Sequence, residues 1–354
     1  MRDLSKIPAN WRVPRNVTIE LTSRCNLRCK FCPSTSPNAP HIDMDIDFFK
    51  SIVDRVDFPT IIVPYSNGEP LLHPHVTEAM DYIINRKSLT TYLTTNGTIW
   101  NDDLFRMTLK DNKYYQTIFS LDGLSTPMSR SIELTRPGSD RSKILDTVHR
   151  YLDMKLHMNS KTDVAVKITE RGQDWQEIEE FILYWLDVPG IDFVVMGHIL
   201  LEQVEEGMRI YPCQYSDDVF MMIRADGTLT LCMYNEQIVN GGENPLGQLD
   251  KTTDLLKVYN NEAYTNFRED QRNGLFHGPC KTCGFAFTGY GFEGQIRSRN
   301  KCRYPHTIYT HRDYFNEFFS KRKKIRKRSF YGYPTEPHAH LTEYAQSEIQ
   351  YEES

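Results

Sequence analysis

A chain of 354 residues with 39% hydrophobic, 12% aromatic and 25% charged residues can bury a full core and suits one large domain with a smaller one. The net charge is −5, and the run KRKKIRKR at 321–328 holds seven positive charges, so the remainder carries −12; this excludes the generally basic surface that nucleic-acid binding asks for, and the run reads as a solvated segment. No apolar stretch nears the roughly 20 residues that span a bilayer, and the polar, proline-broken start MRDLSKIPANWRVPRN lacks the apolar middle of a secretory signal, which predicts a cytoplasmic protein.

Six β-rich runs follow in chain order: VTIELT (17–22), TIIVPYS (60–66), TTYLTTN (90–96), YQTIFSL (115–121), TDVAVKITE (162–170) and IDFVVMGH (191–198). Between them, apolar residues recur at three- and four-residue steps, as in Phe48, Phe49, Ile52, Val53 and Val56, in Val76, Met80, Ile83 and Ile84, and in Ile144, Leu145, Val148 and Leu152. The sharpest pattern is Trp175, Ile178, Phe181, Ile182 and Trp185, with acids between, which is the amphipathic spacing of a helix lying on a sheet. Strand and helix in alternation imply a parallel α/β sheet, open or curved into a partial barrel, with any site at the C-terminal ends of its strands.

Beyond about residue 205 the texture changes. DVFMMIRADGTLTLCMYN (218–235) predicts two strands around an Ala-Asp-Gly turn, followed by a helical segment near 251–270, a cysteine pair and a Gly/aromatic loop. These form a small appended domain over 206–305. The sequence Gly289 to Gly294 fits GxGxxG, yet neither a strand before it nor a helix after it is predicted, so it reads as a loop rather than a dinucleotide site. His73 and His75 straddle a proline at a helix start and read as structural. Residues 306–354 are basic and then polar, and they read as a tail.

The eight cysteines are clustered. In a reducing cytosol that favours metal ligation or catalysis over disulfides. Cys25, Cys29 and Cys32 occupy the loop after the first predicted strand, spaced by three residues and then two. Three thiolates can hold three corners of a four-iron cluster and leave the fourth iron open, whereas structural zinc takes four closed ligands.

With Phe31 beside the last cysteine, this loop resembles the CxxxCxxC loop of radical S-adenosylmethionine (radical SAM) enzymes. The resemblance implies a partial (βα)6 TIM barrel over 17–205, after a short lead of 1–16. It also implies a 4Fe-4S cluster whose open iron chelates the amino and carboxylate groups of SAM. One electron then cleaves SAM to methionine and a 5'-deoxyadenosyl radical, which abstracts hydrogen from an unactivated C–H bond. Ser66-Asn67-Gly68-Glu69-Pro70 resembles the family's GGEP-type segment, with Asn67 or its neighbour in place of the first glycine, and implies Gly68 and Glu69 as SAM contacts. Thr95-Asn96-Gly97 and Ser120-Leu121-Asp122-Gly123 close the third and fourth strands, and the second resembles the SxDG segment, which adds Asn96, Ser120 and Asp122.

Cys213, Cys232, Cys280 and Cys283 supply four further thiolates, and their pattern resembles the SPASM and Twitch extensions that carry auxiliary four-iron clusters. One auxiliary cluster is expected, in a small α+β iron-sulfur domain, with zinc as the other occupant that this ligand set permits. Cys302 is left over. It is a candidate ligand in exchange with one of the pair, a candidate catalytic hydrogen donor, or an inert thiol. The expected reaction is oxidation or epimerisation of a small molecule such as a sugar, aminocyclitol or nucleotide sugar, fed by a one-electron donor such as flavodoxin or ferredoxin. A small molecule is preferred because only about sixteen residues precede the first predicted strand, too few for the leader-binding domain of many peptide-modifying relatives; modification of a ribosomally made peptide is the alternative, since such a domain can be a separate protein. A non-enzymatic metal-binding module is the rival of another class; it never consumes SAM.

Overall fold

The computed structural model describes residues 7–30, 32–110, 114–123, 136–170, 175–198, 213, 220–230, 232, 246–283 and 293–297. Six strands, β1 (Asn16–Ile19), β2 (Ile61–Val63), β3 (Thr90–Thr95), β4 (Tyr114–Ser120), β5 (Asp163–Glu170) and β6 (Phe193–His198), lie parallel and side by side in sequence order. The intervening helices are α1 (Ile46–Asp54), α2 (Val76–Asp81), α3 (Asp102–Lys110), α4 (Arg141–His157) and α5 (Trp175–Asp187). This is the α/β partial barrel expected from the alternation.

The two faces of the sheet differ in what they bury. Val17, Ile19, Ile62, Leu93, Phe119, Val164 and Val166 join a large core with Phe49, Ile52, Met80, Phe105, Tyr151, Phe181 and Trp185 of the helices. The other face holds a smaller cluster of Ile61, Val63, Tyr92, Ile118, Ala165, Phe193 and Val195, with Tyr65 against it. Period-2 alternation thus sorts each strand between helix layer and barrel interior. On β1 and the residue after it the interior positions are polar: Asn16, Thr18 and Glu20 are all fully buried. Helix starts are capped in the usual way, Asp45 Oδ1 accepting the Phe48 N–H at 2.8 Å and Asp140 Oδ1 the Lys143 N–H at 3.0 Å.

Helix α3 has no counterpart among the expected helices; one of its four buried positions is Thr108, which thins its apolar stripe. The Thr108 hydroxyl shares a 3.0 Å hydrogen bond with the buried Tyr151 hydroxyl, itself 2.7 Å from Thr117 Oγ1. The second helix ends in a π-helical turn, Tyr82–Arg86.

The 218–235 hairpin forms as β7 (Phe220–Ile223) and β8 (Leu229–Thr230), with Gly227 at φ +84° in the turn. It is not a separate sheet: β7 pairs parallel to β1 and extends the main sheet outward. The expected loop at 289–294 needs correction, because Glu293 and Gly294 begin β9 (Glu293–Arg297), which pairs antiparallel with β6. Pairing with the open edge of β6 made a strand where the residues flanking the motif had argued for a loop. The segment near 251–270 is two helices, α6 (Leu255–Tyr259) and α7 (Glu262–Arg272), separated because Asp254 and Asn261 each cap a new start. Among the described residues no helix is long and apolar enough to cross a membrane.

Candidate functional site

The cysteine loop leaves β1 and is closed at its neck. Thr22 bridges Asp43, the Ser23 N–H donates to Ile42 O at 3.0 Å, and the Met44 N–H donates to Leu21 O at 2.8 Å. Arg24 fastens the neck further through Asp43 at 2.9 and 2.6 Å and through Leu72 O at 2.9 Å. The Cys32 N–H closes a turn on Cys29 O at 3.0 Å, ahead of a 3-10 turn at Pro33–Thr35. Loop geometry therefore fixes where the three thiols lie, before any cofactor binds.

All three thiols are free; Cys29 is buried, while Cys25 and Cys32 are half-buried. Burial pushes the Cys25 thiol up to about 11 and the Cys29 thiol up to about 12; Cys25 also feels Cys32, and Cys29 feels both Cys25 and Cys32. Cys25 Sγ accepts from the Leu27 N–H at 3.4 Å, and Cys32 Sγ shares a 3.0 Å hydrogen bond with Ser34 Oγ. Among the described residues no three His, Cys, Asp or Glu side chains take the geometry of a single ion; a cubane does not ask for that, because each thiolate takes its own iron.

The segment after β2 lies directly against this loop. The Cys32 thiol donates to Asn67 O at 3.8 Å, and the Glu69 N–H donates to Arg24 O at 2.8 Å. A Cβ on Gly68 would stand 2.0 Å from Thr22 O and 2.9 Å from Arg24 O, so only glycine fits. The Glu69 carboxylate is buried, and burial pushes its pKa up while hydrogen bonds pull it down. It accepts from Thr95 Oγ1 at 2.8 Å, from the Asn96 N–H at 2.7 Å and from the Leu71 N–H at 3.2 Å. Glu69 thus ties the end of β2 to the end of β3. Asn96 in turn donates to Asn26 Oδ1 at 3.0 Å and reaches Cys25 Sγ at 3.9 Å.

At the end of β4, Asp122 is buried in the left-handed region, at φ 51°. Its Oδ1 accepts the Thr169 N–H at 2.9 Å, and its Oδ2 accepts from Arg136 Nε at 3.0 Å and Nη2 at 2.5 Å. The same Nη2 donates to Ser120 Oγ at 2.9 Å. Arg136 is only 4% exposed, and its charge reaches Cys25 and Cys29. The sequence reading missed this residue. TRPGSD looks like a polar turn, and the sole clue was its place between an SxDG segment and the next helix.

Replacing Arg136 with glutamine is expected to destabilise the chain by about 3–5 kcal/mol, because it strands the buried Asp122 carboxylate. Arg136→Lys keeps the charge but cannot bridge Asp122 and Ser120 as a fork does, so it recovers stability in denaturant titration without recovering the bridge. Equal stability of both variants with the native chain would show the pair to be dispensable.

Of the other expected site residues, Phe31 and Cys302 lie outside the described residues. Cys213, Cys232, Cys280 and Cys283 are half-buried. The Cys213 N–H donates to Gln271 Oε1 of α7 at 3.1 Å, the Cys232 N–H to Thr230 Oγ1 at 3.4 Å, and Cys280 lies within a 3-10 turn at Gly278–Thr282 whose C-cap is Cys283. His73, by contrast, is structural in its contacts: Nε2 meets Met44 O at 2.9 Å and Nδ1 accepts the His75 N–H at 3.2 Å.

The chemistry of the donors fits a cluster with a polar organic ligand. Three thiols come from one loop, and beside them the buried Ser66 Oγ, Asn67 Nδ2 and Arg136 Nη1 have no hydrogen-bond partner among the described residues.

Comparison with known proteins agrees. The family model "Radical SAM superfamily" matches residues 19–182, and "Iron-sulfur cluster-binding domain" (SPASM) matches 210–284. The chain is 24% identical over 315 residues to the tungsten-containing aldehyde ferredoxin oxidoreductase cofactor-modifying protein of Pyrococcus furiosus, covering 75% of this chain and 86% of that one. It is 27% identical over 248 residues to the GTP 3',8-cyclase of Syntrophomonas wolfei, covering 65% and 71%. Among solved structures, Streptococcus suis SuiB bound to S-adenosylmethionine matches with a TM-score of 0.54 at 14% identity, covering 77% of this chain and 72% of SuiB. BtrN in complex with AdoMet and 2-DOIA matches at 0.50 and 15%, covering 79% and 98%. The chain thus carries a radical SAM domain over 19–182, which brings SAM and a 4Fe-4S cluster as cofactors, and a SPASM domain over 210–284 for auxiliary iron-sulfur.

Proposed function

We propose that Cys25, Cys29 and Cys32 hold the SAM-binding cluster and that the chain acts on a small molecule. The observation that carries this is the convergence, at the C-terminal ends of β1, β2 and β4, of three thiols, two unpartnered polar groups on Ser66 and Asn67, and the Arg136 cation. Bound there, the cluster and SAM supply a 5'-deoxyadenosyl radical that takes hydrogen from a substrate C–H bond. Ser66 and Asn67 face the amino acid part of SAM, and Arg136 with Ser120 faces its carboxylate. Gly68 lets the backbone approach, while Glu69 and Asp122 hold the strand ends that present these groups. Cys213, Cys232, Cys280 and Cys283 would hold one auxiliary 4Fe-4S cluster in the domain over 206–305, and such a cluster would supply a one-electron acceptor for an oxidation. Cys302 is proposed as the hydrogen donor if the outcome is epimerisation. A flavodoxin- or ferredoxin-like donor supplies the electron, and a reducing cytosol keeps these thiols in the form that binds iron.

A small-molecule substrate is favoured by the breadth of the likeness to GTP 3',8-cyclase, 65% of this chain. Peptide modification is the second reading, favoured by 30% identity over 121 residues to the subtilosin biosynthesis protein AlbA of Bacillus subtilis, which covers 34% of this chain and 27% of AlbA. The test is anaerobic reconstitution followed by reduction with SAM and deuterated candidates, both small molecules and peptides. We expect about eight irons per chain for two four-iron clusters, 5'-deoxyadenosine on reduction, and deuterium in that product from a small molecule. Label from a peptide alone selects the second reading. Iron-loaded protein that yields no 5'-deoxyadenosine overturns both.

A further inference from the structure

Glu20 and Arg224 form a buried ion pair that nothing in the cysteine chemistry requires. Glu20 is fully buried one residue past β1, and Arg224 is 5% exposed one residue past β7. The backbone ladder between these strands runs up to them: Ile19 pairs with Ile223, and the Glu20 N–H donates to Ile223 O at 2.8 Å. Beyond the ladder the link continues through side chains. Arg224 Nε stands 2.9 Å from Glu20 Oε2, which also accepts the Ala225 N–H at 3.2 Å. The second oxygen, Oε1, accepts the Asn67 N–H at 3.3 Å. One carboxylate therefore grips two loops on opposite sides of β1.

Those loops lead to different chemistry. Asn67 carries the unpartnered Nδ2, and its carbonyl meets the Cys32 thiol at 3.8 Å. Ala225 begins the turn into β8, two residues beyond whose end lies Cys232. The turn is seated firmly: a Cβ on Gly227 would meet Phe48 of α1 at 3.0 Å.

Burying a carboxylate is unfavourable unless a charge and hydrogen bonds compensate it, and removing one partner leaves the other uncompensated. Without Arg224, Glu20 would have to move toward water or change its hydrogen bonding. Either response releases the Asn67 N–H.

We infer that Glu20 and Arg224 are positioning residues that set the Asn67 loop for SAM and make SAM affinity depend on the hairpin leading to Cys232. This rests on the reading of that loop as part of the SAM site.

The test is anaerobic calorimetric titration of SAM into the reconstituted full chain, with the thermal midpoint measured in parallel. Arg224→Gln is expected to bind SAM about tenfold more weakly, with iron content unchanged, and Arg224→Lys to bind within about threefold of native. If R224Q does not fold, Glu20→Gln is read in its place; it keeps the shape but only one acceptor oxygen for two N–H groups, and the same tenfold loss is expected.

The control is Asp192→Asn. It breaks another buried ion pair, Lys155–Asp192, at the opposite end of the sheet, where Asp192 accepts the Val164 N–H. A positioning role predicts a lower midpoint for D192N with native SAM affinity. R224Q binding SAM as tightly as native overturns the inference, and so does D192N weakening SAM to the same extent. Native protein that binds no SAM overturns the reading of the site, and this inference with it.

Discussion

Changing Cys29 to alanine is expected to remove about four irons per chain and to bring 5'-deoxyadenosine formation down to background. Cys29 is the most enclosed of the three thiols, 8% exposed, and burial pushes its pKa up to about 12. At neutral pH the metal-free thiol is therefore protonated, and iron must displace that proton to bind. Arg136 lies close enough to oppose the shift, so the site can accept the negative charge of a thiolate-bound cluster. Two thiolates leave a cubane with two corners lacking protein ligands. Cys232→Ala is the matched comparison, expected to lower iron by a similar amount while SAM cleavage persists. Iron counting and chromatography of the nucleoside product read both. A C29A protein that still cleaves SAM, or a native loop that carries one zinc ion, removes the basis for assigning the loop.

Gly68→Ala is expected to lower SAM cleavage by about a hundredfold, the scale of a misplacement near 1 Å in a reacting site. The added methyl would lie 2.0 Å from Thr22 O and 2.8 Å from Thr22 C. Both belong to backbone that the Thr22–Asp43 bridge and the Ser23 hydrogen bonds hold in place. The clash is relieved only by moving the 66–69 segment, which carries Ser66, Asn67 and the Glu69 carboxylate along. Since the cysteines themselves are untouched, iron content is expected to stay near native while SAM binding fails. Unchanged SAM cleavage in G68A would mean that the segment makes no close contact in the working enzyme.

The sheet was legible because β-branched runs alternate with helix-patterned segments, and each run falls on a strand. The loop cysteines were legible because their spacing is local. What escaped notice depends on contacts between distant residues. Arg136 looks like any turn arginine until Asp122 and Ser120 enclose it. Glu20, inside VTIELT, looks like the outward-facing residue of an alternating strand, yet it faces a barrel interior and meets Arg224 from more than two hundred positions away. Strand β9 is set by the unfilled edge of β6, not by its own Gly-containing sequence. Glu69 stands in the segment expected to touch SAM, and its hydrogen bonds to Leu71, Thr95 and Asn96 could not be read from that segment alone.

The order of strands also constrains synthesis. Both flanks of the six-stranded body are covered by later segments, β7 beside β1 and β9 beside β6. A ribosome therefore releases the thiol-bearing loop long before either flank is sealed, and the growing polypeptide carries a raw margin of unpaired amides and carbonyls along β1 until residue 223 has emerged and another along β6 until residue 297 has. Iron delivered during translation would reach a half-built receptacle; delivery after release meets one already walled on both sides.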